Sequence, residues 1–244
     1  MKVVCIIPAR LHSKRFPRKV LSYLGPKPML QWIWEEAVVC TQFDQVAFAV
    51  DHEETAALVR SFRGSYFMTD EKIPSGTDRL VALMHTKQLQ GDIWVNWQGD
   101  EPFVTSRMIG DLLRSCAKQD ADIWTLKKKI TCQIEVQNPH VVKVVSNKKG
   151  EALYFSRAPI PYPRGELPVY YKHVGLYAYT KRALQKIQNM SESLLEKTES
   201  LEQLRFMEEG LNIKVHETAS YTQGIDTPED LLIAIKHFST SKIP

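Results

Sequence analysis

"VVCIIPARLHSKRFPRKVL", Val3 to Leu21, holds two signals side by side. Val3 to Pro8 is a continuous, mostly β-branched run, the pattern of a strand buried on both faces of a parallel sheet. The segment after it puts five cations into ten positions: Arg10, Lys14, Arg15, Arg18 and Lys19. Ligands of an open α/β sheet bind beyond the carboxyl ends of its strands, and this loop stands at such an end.

Working outward, strand-like runs at 45–51, 65–69, 92–98 and 121–126 alternate with helical runs at 28–40, 52–62, 76–85 and 106–118. Pro28 suits a first helical turn, and Gly64 is placed to end the helix before it. The spacing predicts an α/β fold with a doubly wound, mostly parallel sheet and right-handed crossovers. The pattern changes after residue 130. Residues 140–157 read as two β-rich runs around "NKKG", a hairpin signal. "APIPYPRGELP" (158–168) has four prolines in eleven residues and is expected to be extended. A strand at 172–180, helices at 180–189 and 200–209, a strand at "NIKVHE" and a helix at 227–238 complete the chain. We expect a single domain, 1–244, with a small β-rich, proline-rich arm at about 140–178 that is a candidate dimer contact.

Composition narrows the function. A net charge of 32 − 28 = +4 is mild for a chain of 244 residues. The cations are locally dense rather than globally dominant, which points to a small anion and away from nucleic acid. Cysteines at 5, 40, 116 and 132 have no metal-finger or redox spacing, so they read as reduced structural thiols of a cytoplasmic protein. The apolar start is broken by Pro8 and Arg10 and reads as neither signal peptide nor membrane span.

Five stretches can carry chemistry. Phosphate oxygens want forked guanidinium and point-like ammonium donors, which the 8–19 loop supplies; a solvated basic loop is the plainer reading. No G-x-G-x-x-G or Walker spacing accompanies it. "NWQGDEP" (96–102) places Asp100 beyond a strand end, where a carboxylate can hold Mg²⁺, or where a β-turn simply favours Gly and Asp. In "GIDTPEDLL" (224–232), Thr227 and Asp230 resemble a helix cap, leaving Asp226 as a second metal ligand or as a turn residue. "PSGTDRL" (74–80) is a base reader or a helix cap. Arg157, His173, Tyr177, Glu202 and Gln203 are polar groups in apolar surroundings, and Ser200 with Gln203 has capping-box spacing.

"PARLHSKRFPRKVL", "SGTDRL", "NWQGDEP", "HVVKVVSNKKGEALYFSRAPIP", "KHVGLYAY", "SLEQLRF" and "IDTPEDL" occur in the order seen in 3-deoxy-manno-octulosonate cytidylyltransferases (CMP-KDO synthetases). The resemblance runs from residue 3 to about 235. It implies a nucleotide-diphospho-sugar transferase-like fold. It also implies a reaction, in which the hydroxyl of an acidic 3-deoxy sugar attacks the α-phosphate of CTP and pyrophosphate leaves, with Mg²⁺ assisting. The product, CMP-KDO, would feed lipopolysaccharide synthesis, and the enzyme would be a cytoplasmic homodimer. By this resemblance Lys19, Arg10 and Asp100 are catalytic. Ala9, Arg10, Ser13, Arg15, Lys19, Ser75, Gly76, Arg79 and Gln98 bind the nucleotide. Gln98, Arg157, His173, Tyr177, Glu202 and Gln203 form the sugar pocket, and Asp100 and Asp226 hold the metal. The same chemistry on an 8-amino octulosonate or a sialic acid stays open, as does a silent CMP-sugar binder. The family commonly has Gly where this chain has Arg18, so the loop path there is expected to differ.

Overall fold

The computed structural model describes residues 1–13, 16–86, 88–166 and 168–241. In chain order the elements are β1 (Val3–Ala9), β2 (Tyr23–Leu24), β3 (Lys27–Pro28), α1 (Met29–Val39), β4 (Gln45–Val50), α2 (Glu53–Ser61), β5 (Tyr66–Met68), α3 (Gly76–Met84), β6 (Ile93–Asn96) and α4 (Ser106–Leu113). They continue as β7 (Ile123–Lys129), α5 (Gln133–Gln137), β8 (Lys143–Ser146), β9 (Ala152–Ser156), β10 (Tyr171–Thr180), α6 (Lys181–Ile187), α7 (Leu194–Glu199), α8 (Glu202–Glu208), β11 (Ile213–Glu217) and α9 (Pro228–Ser241). Two compact units result: Met1–Ile109 together with Tyr221–Pro244, and Gly110–Ser220.

In the first unit the strand order is β6-β1-β4-β5, and every neighbour is parallel. All seven residues of β1 are buried, which is why its sequence shows no alternation. The chain moves outward from β1 to β4 and β5, then returns to place β6 on the other side of β1. That reversal makes a switch point, and a crevice opens beyond the carboxyl ends of β1 and β6. Phe48, Trp94 and Trp97 are fully buried beneath it.

In the second unit β7 pairs parallel with β11 and antiparallel with β10, which also pairs antiparallel with β8. The hairpin read around "NKKG" is β8–β9, with the turn held by Gly150 N–H donating to Asn147 O at 2.9 Å. Trp124, Tyr179, Phe155 and Phe206 fill the core. Cys5, Cys40 and Cys116 are buried and Cys132 is exposed, all as free thiols.

Three local expectations change. Arg63, not Gly64, takes the left-handed conformation after α2 (φ 59), and a Cβ on Gly64 would stand 2.7 Å from Val59. Ser200 closes no capping box: it sits at φ 51, and Leu201 precedes α8 without a side-chain cap. The observed box joins Ser193 and Glu196 at α7. Arg18 itself adopts the left-handed region (φ 60, ψ 22). The loop therefore keeps a path that suits glycine, at a cost of about 1–2 kcal/mol for an L-residue.

Candidate active site

Within the first unit, a cleft of about 530 Å³ opens over the switch point, and its lining includes Arg10, Ser13, Lys19, Gly76, Gln98, Asp100 and Asp226. This volume lies in the range of nucleotide-sized sites. Ala9 ends β1 and is buried, between Pro8 and Arg10 of the cleft lining. Gly99 follows β6; its N–H donates to Pro8 O at 3.0 Å, and a Cβ there would stand 2.7 Å from that oxygen. Glycine is thus required by the approach of the neighbouring strand. Gly76 likewise leaves room for the Gln98 amide, whose Nε2 would lie 2.6 Å from an added Cβ.

Lys19 is the centre of the cleft. Its short 3₁₀ turn buries the side chain, and the ammonium donates to Asp100 Oδ2 (2.5 Å), Ile225 O (3.0 Å) and Asp226 Oδ1 (3.1 Å). Burial alone lowers an ammonium pKa, but the charges and hydrogen bonds of Asp100 and Asp226 outweigh it and raise the Lys19 pKa. The two aspartates, 126 residues apart in the chain (226 − 100), are brought together by Ile225 N–H donating to Asp100 O at 2.9 Å. Asp230 accepts from the N–H groups of Asp226 and Thr227, and Thr227 Oγ1 from Asp230 N–H, so capping leaves the Asp226 carboxylate for the cleft.

Other positions sort themselves by their partners. Arg10 is exposed and donates to Pro74 O at 2.5 Å. Ser75 caps α3, accepting from Asp78 N–H at 3.0 Å. Gln98 donates to Asn96 Oδ1 at 2.9 Å, which fixes its amide over Gly76. Arg79, expected as a base reader, is tied to protein partners. Its guanidinium is fully buried and donates to Asp51 Oδ2 (3.0 Å), Ile73 O (3.3 Å) and Thr69 Oγ1, while its Nε–H has no hydrogen-bond partner among the described residues. Arg18 pairs with Glu54, away from the cleft lining. Arg15 lies outside the described residues.

The second unit gathers the remaining five residues. Arg157 is a brace: its guanidinium donates to Glu199 O (2.6 Å), Pro139 O (3.0 Å) and Ser200 O (3.2 Å), while its N–H donates to Glu199 Oε2 (2.9 Å). This clamps the turn that leads into α8, which carries Glu202 and Gln203. The His173 ring lies 5.2 Å from that of Tyr177 and 5.1 Å from Phe155. Thr125 Oγ1 faces two carbonyls, Val174 O and Leu176 O, at 3.1 and 3.0 Å, so its one proton is taken. It therefore accepts from His173 Nε2–H at 3.1 Å, which assigns the tautomer. Burial pushes the His173 pKa down to about 3, so the ring is neutral at physiological pH. Burial first, then Tyr179 and Glu202, raises the Tyr177 hydroxyl. Gln203 is buried, and its Nε2 has no hydrogen-bond partner among the described residues. A buried amide on α8 without a protein partner is a feature that calls for a physical explanation.

Two residues that the sequence reading did not single out support these groups. Lys143 is fully buried and donates to Arg157 O (2.5 Å), Val141 O (2.7 Å) and Asn138 O (3.0 Å). Asp51 holds Arg79 and also accepts from Leu11 N–H at 2.9 Å.

A polar, nucleotide-sized crevice at a sheet switch point, with cations facing a carboxylate pair, defines a nucleotidyltransferase site. The comparisons with known proteins narrow the class. The family model described as "Cytidylyltransferase" matches residues 4–214, and the chain belongs to that family. It is 41% identical to the 3-deoxy-manno-octulosonate cytidylyltransferase of Thermodesulfovibrio yellowstonii, over 98% of this chain and 99% of the relative. It is 43% identical to the Escherichia coli protein of the same name, over 93% and 92%. Among solved structures it is similar to CMP:2-keto-3-deoxy-manno-octonic acid synthetase complexed with CTP, at 41% identity, a TM-score of 0.93, and coverage of 98% and 99%.

Proposed function

We propose that this enzyme transfers the cytidylyl group of CTP to 3-deoxy-manno-octulosonate, giving CMP-KDO and pyrophosphate for lipopolysaccharide synthesis. The observation that carries the reading is the Lys19 ammonium held between Asp100 and Asp226 in the switch-point cleft. Both substrates are anions, so the reaction needs charge neutralisation and in-line alignment more than covalent chemistry.

Arg10 and Ser13 border the triphosphate with Lys19, whose four-carbon stem lets the ammonium reach a phosphoryl oxygen near the α-phosphorus. Charge that builds there is then met by a group already in place. The base sits over Gly76 and Gln98, with Ser75 shaping the entry to α3. The sugar is held by His173, Tyr177, Glu202 and Gln203, with Arg157 setting the height of α8. Neutral His173 and Tyr177 offer hydrogen bonds rather than charge.

Asp100 and Asp226 fit a Mg²⁺ ion. They supply hard oxygen donors that already converge on one cation, and Mg²⁺ typically takes one or two carboxylates and completes its shell with phosphates and water. Among the described residues no cluster of three or more His, Cys, Asp or Glu adds a further protein ligand. When bound, the ion would polarise a phosphoryl oxygen and lower the pKa of a coordinated hydroxyl. Asp100 and Asp226 hold its position, and Lys19 is freed toward the phosphates.

The proline-rich segment exposes Tyr162 and Val169, and we assign this arm to a homodimer contact. No helix among the described residues is long and apolar enough to cross a membrane, and we take the reaction to be cytoplasmic.

A substrate panel tests the reading. CTP is incubated with 3-deoxy-manno-octulosonate, its 8-amino analogue or a sialic acid, with and without Mg²⁺, following pyrophosphate. Magnesium-dependent release is expected with 3-deoxy-manno-octulosonate, and Asp100→Ala should lower kcat by about 10²–10³, the scale for removing one preorganised charge-stabilising group. Release only with another sugar, or wild-type turnover in Asp100→Ala, overturns the substrate or the metal assignment respectively.

A further inference from the structure

Beneath the cleft, Leu11 heads the cationic loop and the 69–74 segment leads into α3. The two walls share one buried carboxylate. Asp51, just past β4, is 3% exposed in its side chain. Its Oδ1 accepts from Leu11 N–H at 2.9 Å and its Oδ2 from Arg79 Nη2 at 3.0 Å. Arg79 in turn donates to Ile73 O at 3.3 Å and to Thr69 Oγ1. Arg10, next to Leu11, closes the ring by donating to Pro74 O at 2.5 Å.

We propose that Asp51 is a positioning residue for the nucleotide: it locks the head of the cationic loop to the Arg79-braced wall opposite and so fixes where Arg10 stands. This rests on the reading that the loop holds the triphosphate of CTP. The hub must be anionic for two reasons. Arg79 is buried, and burial disfavours its charge, which the Asp51 carboxylate offsets in part. Arg10 also repels Arg79 electrostatically, so without Asp51 that repulsion would lose its main opposing charge. Loss of the carboxylate therefore loosens both walls while leaving Lys19, Asp100 and Asp226 on their own bonds. Asp51 touches no reacting atom, and its effect is expected in nucleotide affinity more than in the chemical step.

The test is Asp51→Asn in the full-length protein, which keeps an oxygen for Leu11 N–H but removes the charge opposite Arg79. CTP Kd is measured by calorimetry without sugar, beside kcat, both KM values and thermal melting. The expected result is a rise of about tenfold or more in CTP Kd and CTP KM, with kcat at saturation and sugar KM changing far less, since a charged hydrogen bond to a positioning group is lost. Arg79→Lys is the second variant. It keeps a cation against Asp51 but cannot span Thr69 and Ile73, and it is expected to give the same selective loss with a melting temperature near wild type. Lys19→Met serves as the control for the underlying reading. An unchanged CTP Kd in a folded Asp51→Asn or in Arg79→Lys, with Lys19→Met weakened, overturns the role of Asp51 alone. Unchanged CTP binding in all three overturns the triphosphate reading with it. Equal rises in CTP and sugar KM also overturn the proposal, because a general loosening of the fold would produce them.

Discussion

Acidification tests the buried imidazole most sharply. His173 has a pKa pushed down to about 3 by burial, against an ordinary value of 6.5. Below pH 6.5 the unfolded chain binds a proton at this position that the folded chain refuses, and stability rises with pH wherever the unfolded state binds more protons. The contribution is therefore complete above pH 6.5 and is lost progressively as pH falls toward 3. Between pH 7 and pH 5 the loss is about 2 kcal/mol, from roughly 1.4 kcal/mol per pH unit over about 1.4 effective units. In a chain of this size that is about 4–8 °C in melting temperature. The assay is urea unfolding of wild type and His173→Asn at both pH values. His216, whose pKa is lowered to about 4 by burial, then by Arg114, acts in the same direction but is present in both proteins. His173→Asn is expected to lose about 2 kcal/mol less than wild type over the interval. Equal losses in the two proteins would mean that the folded protein protonates His173 freely, and the neutral buried imidazole would have to be abandoned.

Other perturbations separate support from contact. Lys143→Met leaves three carbonyls without their buried ammonium and is expected to cost about 3–5 kcal/mol in urea melts. It should also raise the sugar KM more than the CTP KM, because the Arg157 carbonyl it holds is released. Arg18→Gly relieves a left-handed residue but loses an exposed ion pair and adds unfolded-state freedom, so stability should change by less than about 1 kcal/mol, with CTP KM unmoved. Gly76→Ala pushes a methyl to 2.6 Å from Gln98 Nε2. The Gln98 amide must swing aside, so stability is expected to change by less than about 1 kcal/mol while CTP KM rises selectively.

What the sequence disclosed follows from where its physics is local. β1 and the strands β4 and β6 read clearly because burial on both faces writes continuous apolar runs. Local spacing offers Asp100 and Asp226 each as a metal ligand or a turn residue, and only the family resemblance chose between those readings, since the two lie 126 positions apart (226 − 100). Helix α7 was missed because it buries no residue and so carries no apolar period. Arg79 looked like a base reader because it lies one turn inside a capped helix. Its burial depends on Asp51, 28 residues earlier, which in sequence is merely the end of an apolar strand. Lys143 and Asp51 escaped notice for one reason: a buried charge is recognised by its partners, and partners are tertiary. The left-handed Arg18 was flagged by its departure from a family glycine, but its pairing with Glu54 was visible only in the fold.

The most direct measurement is a crystal of the protein soaked in CTP and MgCl₂ without sugar. The triphosphate should lie against Lys19 and Arg10, with the ion bound by Asp100 and Asp226 and the Lys19 ammonium moved off the carboxylates onto a phosphate. Nucleotide bound elsewhere, with Lys19 still seated between the two aspartates, would contradict the assignment of this cleft.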